Sequence, residues 1–160
     1  MQILYIHGLD SSPNPGRMQY LEARGHQVHA LHLDYRQQPD AYQILHDFAC
    51  ETGTQFIVGS SLGGFLGFWL AEALALPCLL FNPAMHVSLV EARIPAIERR
   101  CPQRWVVLGE IDTVVDPQAG WVFFAAPAQQ GPEQYVMLRQ GLGHEIDPPT
   151  YAASVRWAGL

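Results

Sequence analysis

Ser61 stands in Gly59-Ser60-Ser61-Leu62-Gly63, a G-x-S-x-G pattern between an apolar run at 55–60 and a longer one at 62–76. A serine hydroxyl attacks a carbonyl only when a base takes its proton, and the usual base is a histidine held in one tautomer by a carboxylate. Where such a serine sits on a strand-to-helix turn, the chain order is serine, acid, histidine. His144, in "GLGHEIDP", is the histidine that follows the last expected strand, and it is the candidate base. For the acid, "LGEIDTVVDP" offers Glu110, Asp112 and Asp116. Asp112 is favoured because it lies just beyond a strand, whereas Asp116 precedes Pro117 and reads as the N-cap of a helix. Glu110 and Asp116 stay open as alternatives.

The glycines around Ser61 suit a turn so tight that any Cβ would collide with the neighbouring backbone, and the serine itself is held there with its hydroxyl projecting. Ser60 lies outside the central position of the pattern. A glycine-rich turn serving only close helix–strand packing is the competing reading. The helix beginning at Leu62 directs its positive end and free N–H groups at Ser61. Leu62 N–H and Leu9 N–H are the expected oxyanion donors, the second from "HGLDSSPNPG" after the first strand. In that loop His7 is read as ordering the backbone, and Asp10, Ser11 and Ser12 as either lining the pocket or capping the next helix, with capping favoured. Gly141 and Gly143 suit a bent loop that carries His144 over the sheet.

The elements that must hold these residues follow from hydrophobic periodicity. Short apolar runs at 2–8, 27–33, 55–60, 78–83, 104–110 and 134–140 read as strands, and without alternating polarity they read as buried on both faces. Helical spacing marks 18–25, 40–53 and 62–76, the first two stopped by Gly25 and Gly53, with further helices expected near 86–99 and 117–126. Strands alternating with helices give a parallel sheet, here about six mainly parallel strands in a three-layer α/β sandwich. Ligands in such sheets sit beyond the carboxyl ends of the strands, the edge that carries His7, Asp34, Ser61, Asn82, Asp112 and His144. Trp121, Phe123 and Phe124 read as either core or a dimer surface, and core is favoured.

With 160 residues and no linker-like shift in composition, residues 1–160 read as one domain. Nine Lys+Arg against fifteen Asp+Glu leave a net charge of −6, which repels nucleic acid and anionic membrane surfaces. No apolar stretch reaches the ~20 residues of a bilayer span, and no signal peptide is read at the start, so a soluble cytoplasmic protein is expected. Cys50, Cys78 and Cys101 are widely spread, with no disulfide framework or zinc pattern, and read as reduced, mainly buried thiols. His26, His29 and His32, spaced three apart, do not share one face of a strand, and no metal site is expected from them.

In "YIHGLDSSP", "IVGSSLGG", "NPA" (82–84), "DTVVD" (112–116) and "GLGHE" (141–145), in that order, the chain resembles the α/β-hydrolase superfamily, and within it the small bacterial esterase-like proteins of the YqiA/YcfP type. The resemblance implies a minimal α/β-hydrolase fold and a cofactor-free Ser–Asp–His hydrolase, its triad falling on Ser61, Asp112 and His144. The segment between Asn82 and the acid loop, where hydrolases often carry a lid, is short, so no lid domain is expected. The expected function is cleavage of small carboxylic esters or thioesters through an acyl-enzyme. A non-catalytic binding protein on the same scaffold, and an acyltransferase or peptidase using the same triad, are the alternatives.

Overall fold

The computed structural model describes residues 1–86, 94–96, 102–126 and 133–160. The helix expected near 86–99 falls almost wholly outside the described residues, as does Cys101. The apolar runs form β1 (Gln2–Ile6), β2 (Gln27–His29), β3 (Phe56–Ser60), β4 (Cys78–Phe81), β5 (Arg104–Gly109) and β6 (Gln134–Arg139). They pair in parallel in the order β2-β1-β3-β4-β5-β6. Between and after them run α1 (Pro15–Glu22), α2 (Ala41–Glu51), α3 (Leu62–Leu74), α4 (Pro117–Ala125) and α5 (Pro148–Trp157).

Successive strand residues point to opposite faces, so a continuous apolar run serves two cores at once. Leu4 and Ile6 of β1, Ile57 of β3, Leu80 of β4 and Val106 and Leu108 of β5 join Leu45 of α2, Leu66 and Leu70 of α3 and Phe124 of α4 in one layer. Ile3, Tyr5, Val58, Leu79, Phe81 and Val107 join Leu21 of α1 and Tyr151 and Val155 of α5 in the other. These are the three layers expected from the strand–helix alternation. Across the first core, Arg104 at the start of β5 pairs with Glu72 of α3, both almost wholly buried.

Several boundaries differ from the sequence expectation for identifiable reasons. The strand expected over 27–33 ends at His29, because the chain then leaves the sheet edge and the Leu33 N–H donates to the His7 imidazole (3.1 Å). β6 is the opposite edge and is not buried on both faces: Tyr135 and Leu138 are exposed. α1 begins at Pro15 with Asn14 as N-cap, its side chain accepting from Arg17 N–H (3.0 Å). Asp10, Ser11 and Ser12 therefore do not cap this helix. α5 was not expected, although Asp147-Pro148-Pro149 carries a start signal and Asp147 caps it by accepting from Thr150 N–H (2.8 Å). On α4 Phe124 is buried, but Trp121 lies 43% exposed and is not core. Cys78 is buried, as expected of a thiol here, whereas Cys50 is exposed.

Because β1 lies between β2 and β3, the connection leaving β1 runs to one side and the one leaving β3 to the other. The crevice opened between their carboxyl ends is the place where such sheets receive ligands. No lid element is found among the described residues, and no described helix is long and apolar enough to cross a membrane.

Candidate active site

A cavity of about 210 Å³ occupies that crevice. It is lined by the β1 loop (His7 to Ser12), by Ser60 at the end of β3 and Ser61 just after it, and by His144 to Ile146 after β6. Three loops distant in sequence thus meet where the topology predicts.

Ser61 links β3 to α3 with φ 55° and ψ −122°, a conformation that costs a side-chain-bearing residue ~1–3 kcal/mol and persists only when its surroundings enforce it. The surroundings do so. Ser61 N–H donates to the Phe81 carbonyl (2.9 Å), and the Ser61 carbonyl accepts from Phe65 N–H (3.0 Å) and Ala84 N–H (3.1 Å). A Cβ on Gly59 would lie 2.4 Å from the Gly63 carbonyl oxygen, and one on Gly63 would lie 2.3 Å from that of His7. The turn closes only with hydrogen at both positions, as the sequence pattern suggests.

His144 Nδ1 donates to Asp112 Oδ2 at 2.8 Å, with the carboxylate 1% exposed and the imidazole 21% exposed. The other Asp112 oxygen accepts from Val114 N–H (2.8 Å) and Val115 N–H (2.9 Å), so the carboxylate is fixed before it meets the ring. Of the three acids left open by the sequence, Asp112 is the one in contact with His144. Asp116 caps α4 by accepting from Gln118 N–H (2.9 Å), and Glu110 accepts from Gly141 N–H (2.9 Å). With Nδ1 engaged, Nε2 on the far side of the ring is the atom left for proton transfer.

The β1 loop is built around His7, which is 2% exposed. Its Nε2 accepts from Leu33 N–H (3.1 Å) and its Nδ1 donates to the Gly8 carbonyl (2.7 Å), which fixes a neutral tautomer. Burial lowers the His7 pKa, the Gly8 contact opposes the shift, and nearby His32 adds to it. The Gly8 carbonyl also accepts from Ser11 Oγ (2.9 Å). In a trans peptide the following N–H points the opposite way, so these two donors also set the direction of Leu9 N–H. Leu9 lines the cavity, and a Cβ on Gly8 would lie 3.2 Å from Ser61 Cβ. Leu62 is the first residue of α3, and its N–H therefore has no carbonyl one turn back within the helix. Asp10 binds Arg36 through both oxygens (2.6 and 2.9 Å) at the cavity rim.

Gly141 adopts φ +69°, but Gly143 does not need to be glycine for space, since nothing lies within 4 Å of a Cβ there. The close approach is on the other side. A Cβ on Gly109 would meet the Leu142 and Gly143 carbonyl oxygens at 2.6 and 2.5 Å. Among the described residues no group of three or more His, Cys, Asp or Glu is arranged to hold a metal ion.

The model of an uncharacterised protein family, UPF0227, matches residues 2–113. Solved structures match over nearly the whole chain. A monoacylglycerol lipase from Paleococcus ferrophilus is 15% identical with a TM-score of 0.79, covering 98% of this chain and 93% of its own. MGS-MChE2, an alpha/beta hydrolase enzyme from the metagenome of sediments of the Mar Chica lagoon, is 14% identical with a TM-score of 0.73, covering 99% and 89%. Thermogutta terrifontis esterase 2, phosphonylated by cyclosarin, is 15% identical with a TM-score of 0.64, covering 98% and 80%. At these identities the likeness is one of fold, the α/β-hydrolase fold.

Proposed function

The chain belongs to the uncharacterised protein family UPF0227, and on the geometry of its site we propose that it is a serine hydrolase of small carboxylic esters or thioesters. The observation that carries the reading is the His144–Asp112 contact beside a cavity that also holds a strained, enforced Ser61. In the proposed reaction His144 Nε2 takes the proton from Ser61 Oγ as the oxygen attacks the acyl carbonyl carbon. Leu9 and Leu62 N–H groups hold the resulting oxyanion. Asp112 keeps the ring in the productive tautomer and stabilises its imidazolium. The tetrahedral adduct collapses to an acyl-enzyme while His144 gives its proton to the departing alcohol or thiol. Water, deprotonated by the same nitrogen, then attacks the acyl carbon, and as the bond from that carbon to Ser61 Oγ breaks, His144 returns the proton to Oγ and the carboxylic acid leaves.

A cavity near 210 Å³ is below the ~300–1,000 Å³ typical of sites for drug-sized ligands, which favours short acyl groups. The expected result is turnover of acetyl and butyryl esters in preference to palmitoyl esters, abolished in Ser61→Ala with the thermal unfolding transition retained. Turnover by the purified Ser61→Ala protein would contradict the assignment. Competing alcohol and amine acceptors distinguish hydrolysis from acyl transfer.

A further inference from the structure

Asn82 belongs to the sequence "NPA" immediately after β4, and the reaction just described gives it no part. Its backbone has φ +42°, a left-handed conformation that asparagine tolerates better than most residues, and it is 2% exposed. Its backbone N–H donates to the Val107 carbonyl (2.8 Å), anchoring it to β5. The side-chain amide is then spent entirely on the loops of the site. Oδ1 accepts from Gly109 N–H (2.6 Å) at the root of the acid loop. Nδ2 donates to the carbonyls of Gly143 (3.0 Å) and His144 (3.1 Å). Two residues on, Ala84 N–H donates to the Ser61 carbonyl, and Pro83 Cα would lie 3.0 Å from a Cβ on Gly64 in the first turn of α3.

From this geometry we propose that Asn82 is a positioning residue that, with Pro83 and Ala84, sets the separation of the Ser61, Asp112 and His144 loops. The proposal rests on the serine-hydrolase reading. The physical ground is that the acid and His144 loops are bonded to each other, through Ile111 N–H to the Leu142 carbonyl (3.0 Å) and Gly141 N–H to Glu110 (2.9 Å), and the segment from Asn82 to Ala84 ties both to the Ser61 turn, which emerges from a different strand. The amide supplies one acceptor and two donors in a fixed plane, and each reaches backbone rather than a side chain free to move. Gly109 completes the arrangement by letting the His144 loop lie directly on the end of β5. Placement of reacting groups to within a fraction of an ångström is where such supporting contacts act, and a misplacement of ~1 Å can cost about 100-fold in rate.

Two variants separate the amide from the backbone it stands on. Asn82→Gly keeps the left-handed conformation and removes the amide. Asn82→Asp keeps the shape and the acceptor for Gly109, but turns an oxygen towards the Gly143 and His144 carbonyls. Leu45→Ala, a cavity on the remote α2 face, serves as a control for loss of stability alone. The readouts are the rate of fluorophosphonate labelling, kcat and KM for a butyryl ester, and the downfield proton resonance of His144 Nδ1–H.

The expected result is a loss of at least tenfold in labelling rate and kcat in both Asn82 variants, at temperatures where each is folded, with KM changed less than threefold. The Nδ1–H resonance is broadened or lost in both and retained in Leu45→Ala. Asn82 variants that label and turn over at the wild-type rate, with the resonance intact, would overturn the positioning role even if their melting temperatures fall. Wild-type protein that is folded but fails to label would instead refute the serine-hydrolase reading.

Discussion

At Ser61 the backbone carries a cost that the chain has no reason to keep for stability. Its φ of 55° and ψ of −122° are enforced by bonds to Phe81, Phe65 and Ala84, not preferred by serine itself. A residue lacking Cβ adopts positive φ with little strain, so Ser61→Gly is expected to be more stable than Ser61→Ala by about 1 kcal/mol or more. Chemical denaturation of the two variants checks this, and the difference is informative because both lack the hydroxyl. A Ser61→Gly protein less stable than Ser61→Ala by the ~0.5–1 kcal/mol that glycine's freer unfolded chain costs would mean that the turn stores no strain at Ser61. Position relative to a strand favours Asp112 over Asp116 and Glu110, and the contact with His144 singles it out, with Asp116 free to cap α4.

Between elements, His7 links the end of β1 to the segment after β2 by accepting from Leu33 N–H, which only an unprotonated Nε2 does. Its pKa is lowered by burial from the ordinary 6.5, so the unfolded chain takes up a proton more readily than the folded one. The stability contributed is complete above about pH 6.5 and is lost as pH falls through the lower folded value. His7→Gln is expected to flatten the dependence of denaturation midpoint on pH between about pH 7 and 5, whereas His26→Gln, at a partly exposed site whose pKa is lowered in the same direction, changes it less. An undiminished slope in His7→Gln would show that the ring is not the group being titrated.

The elements differ in how far they are legible from sequence. The elbow is legible because Gly59 and Gly63 report close backbone approaches within one short segment. The brace at Asn82 is not, since its partners Gly109, Gly143 and His144 lie 27 to 62 positions away and no local pattern encodes them. For the same reason Gly143 looked like the glycine demanded by the His144 loop when the tight contact belongs to Gly109. β2 is shortened by a bond to His7 that periodicity does not reveal, and α5 is marked in the sequence by its start signal alone, Asp147 followed by Pro148.

For the molecule as a whole, continuous apolar strands dictate two cores, two cores dictate helices on both faces, and the order β2-β1-β3 opens a crevice at one edge of the sheet. Ser61, His144 and the β1 loop reach that crevice from three separate connections. A net charge of −6 suits an uncharged small substrate better than a polyanion. A strained serine beside a histidine–carboxylate pair should behave as an activated nucleophile, which a phosphonylating probe detects directly. The decisive measurement is intact mass after incubation with a fluorophosphonate, wild type beside Ser61→Ala and His144→Ala. A single adduct on the wild type, absent from Ser61→Ala and strongly slowed or absent in His144→Ala, is the predicted result. A folded wild-type protein that gains no mass would contradict the account and turn attention to ligand binding without catalysis.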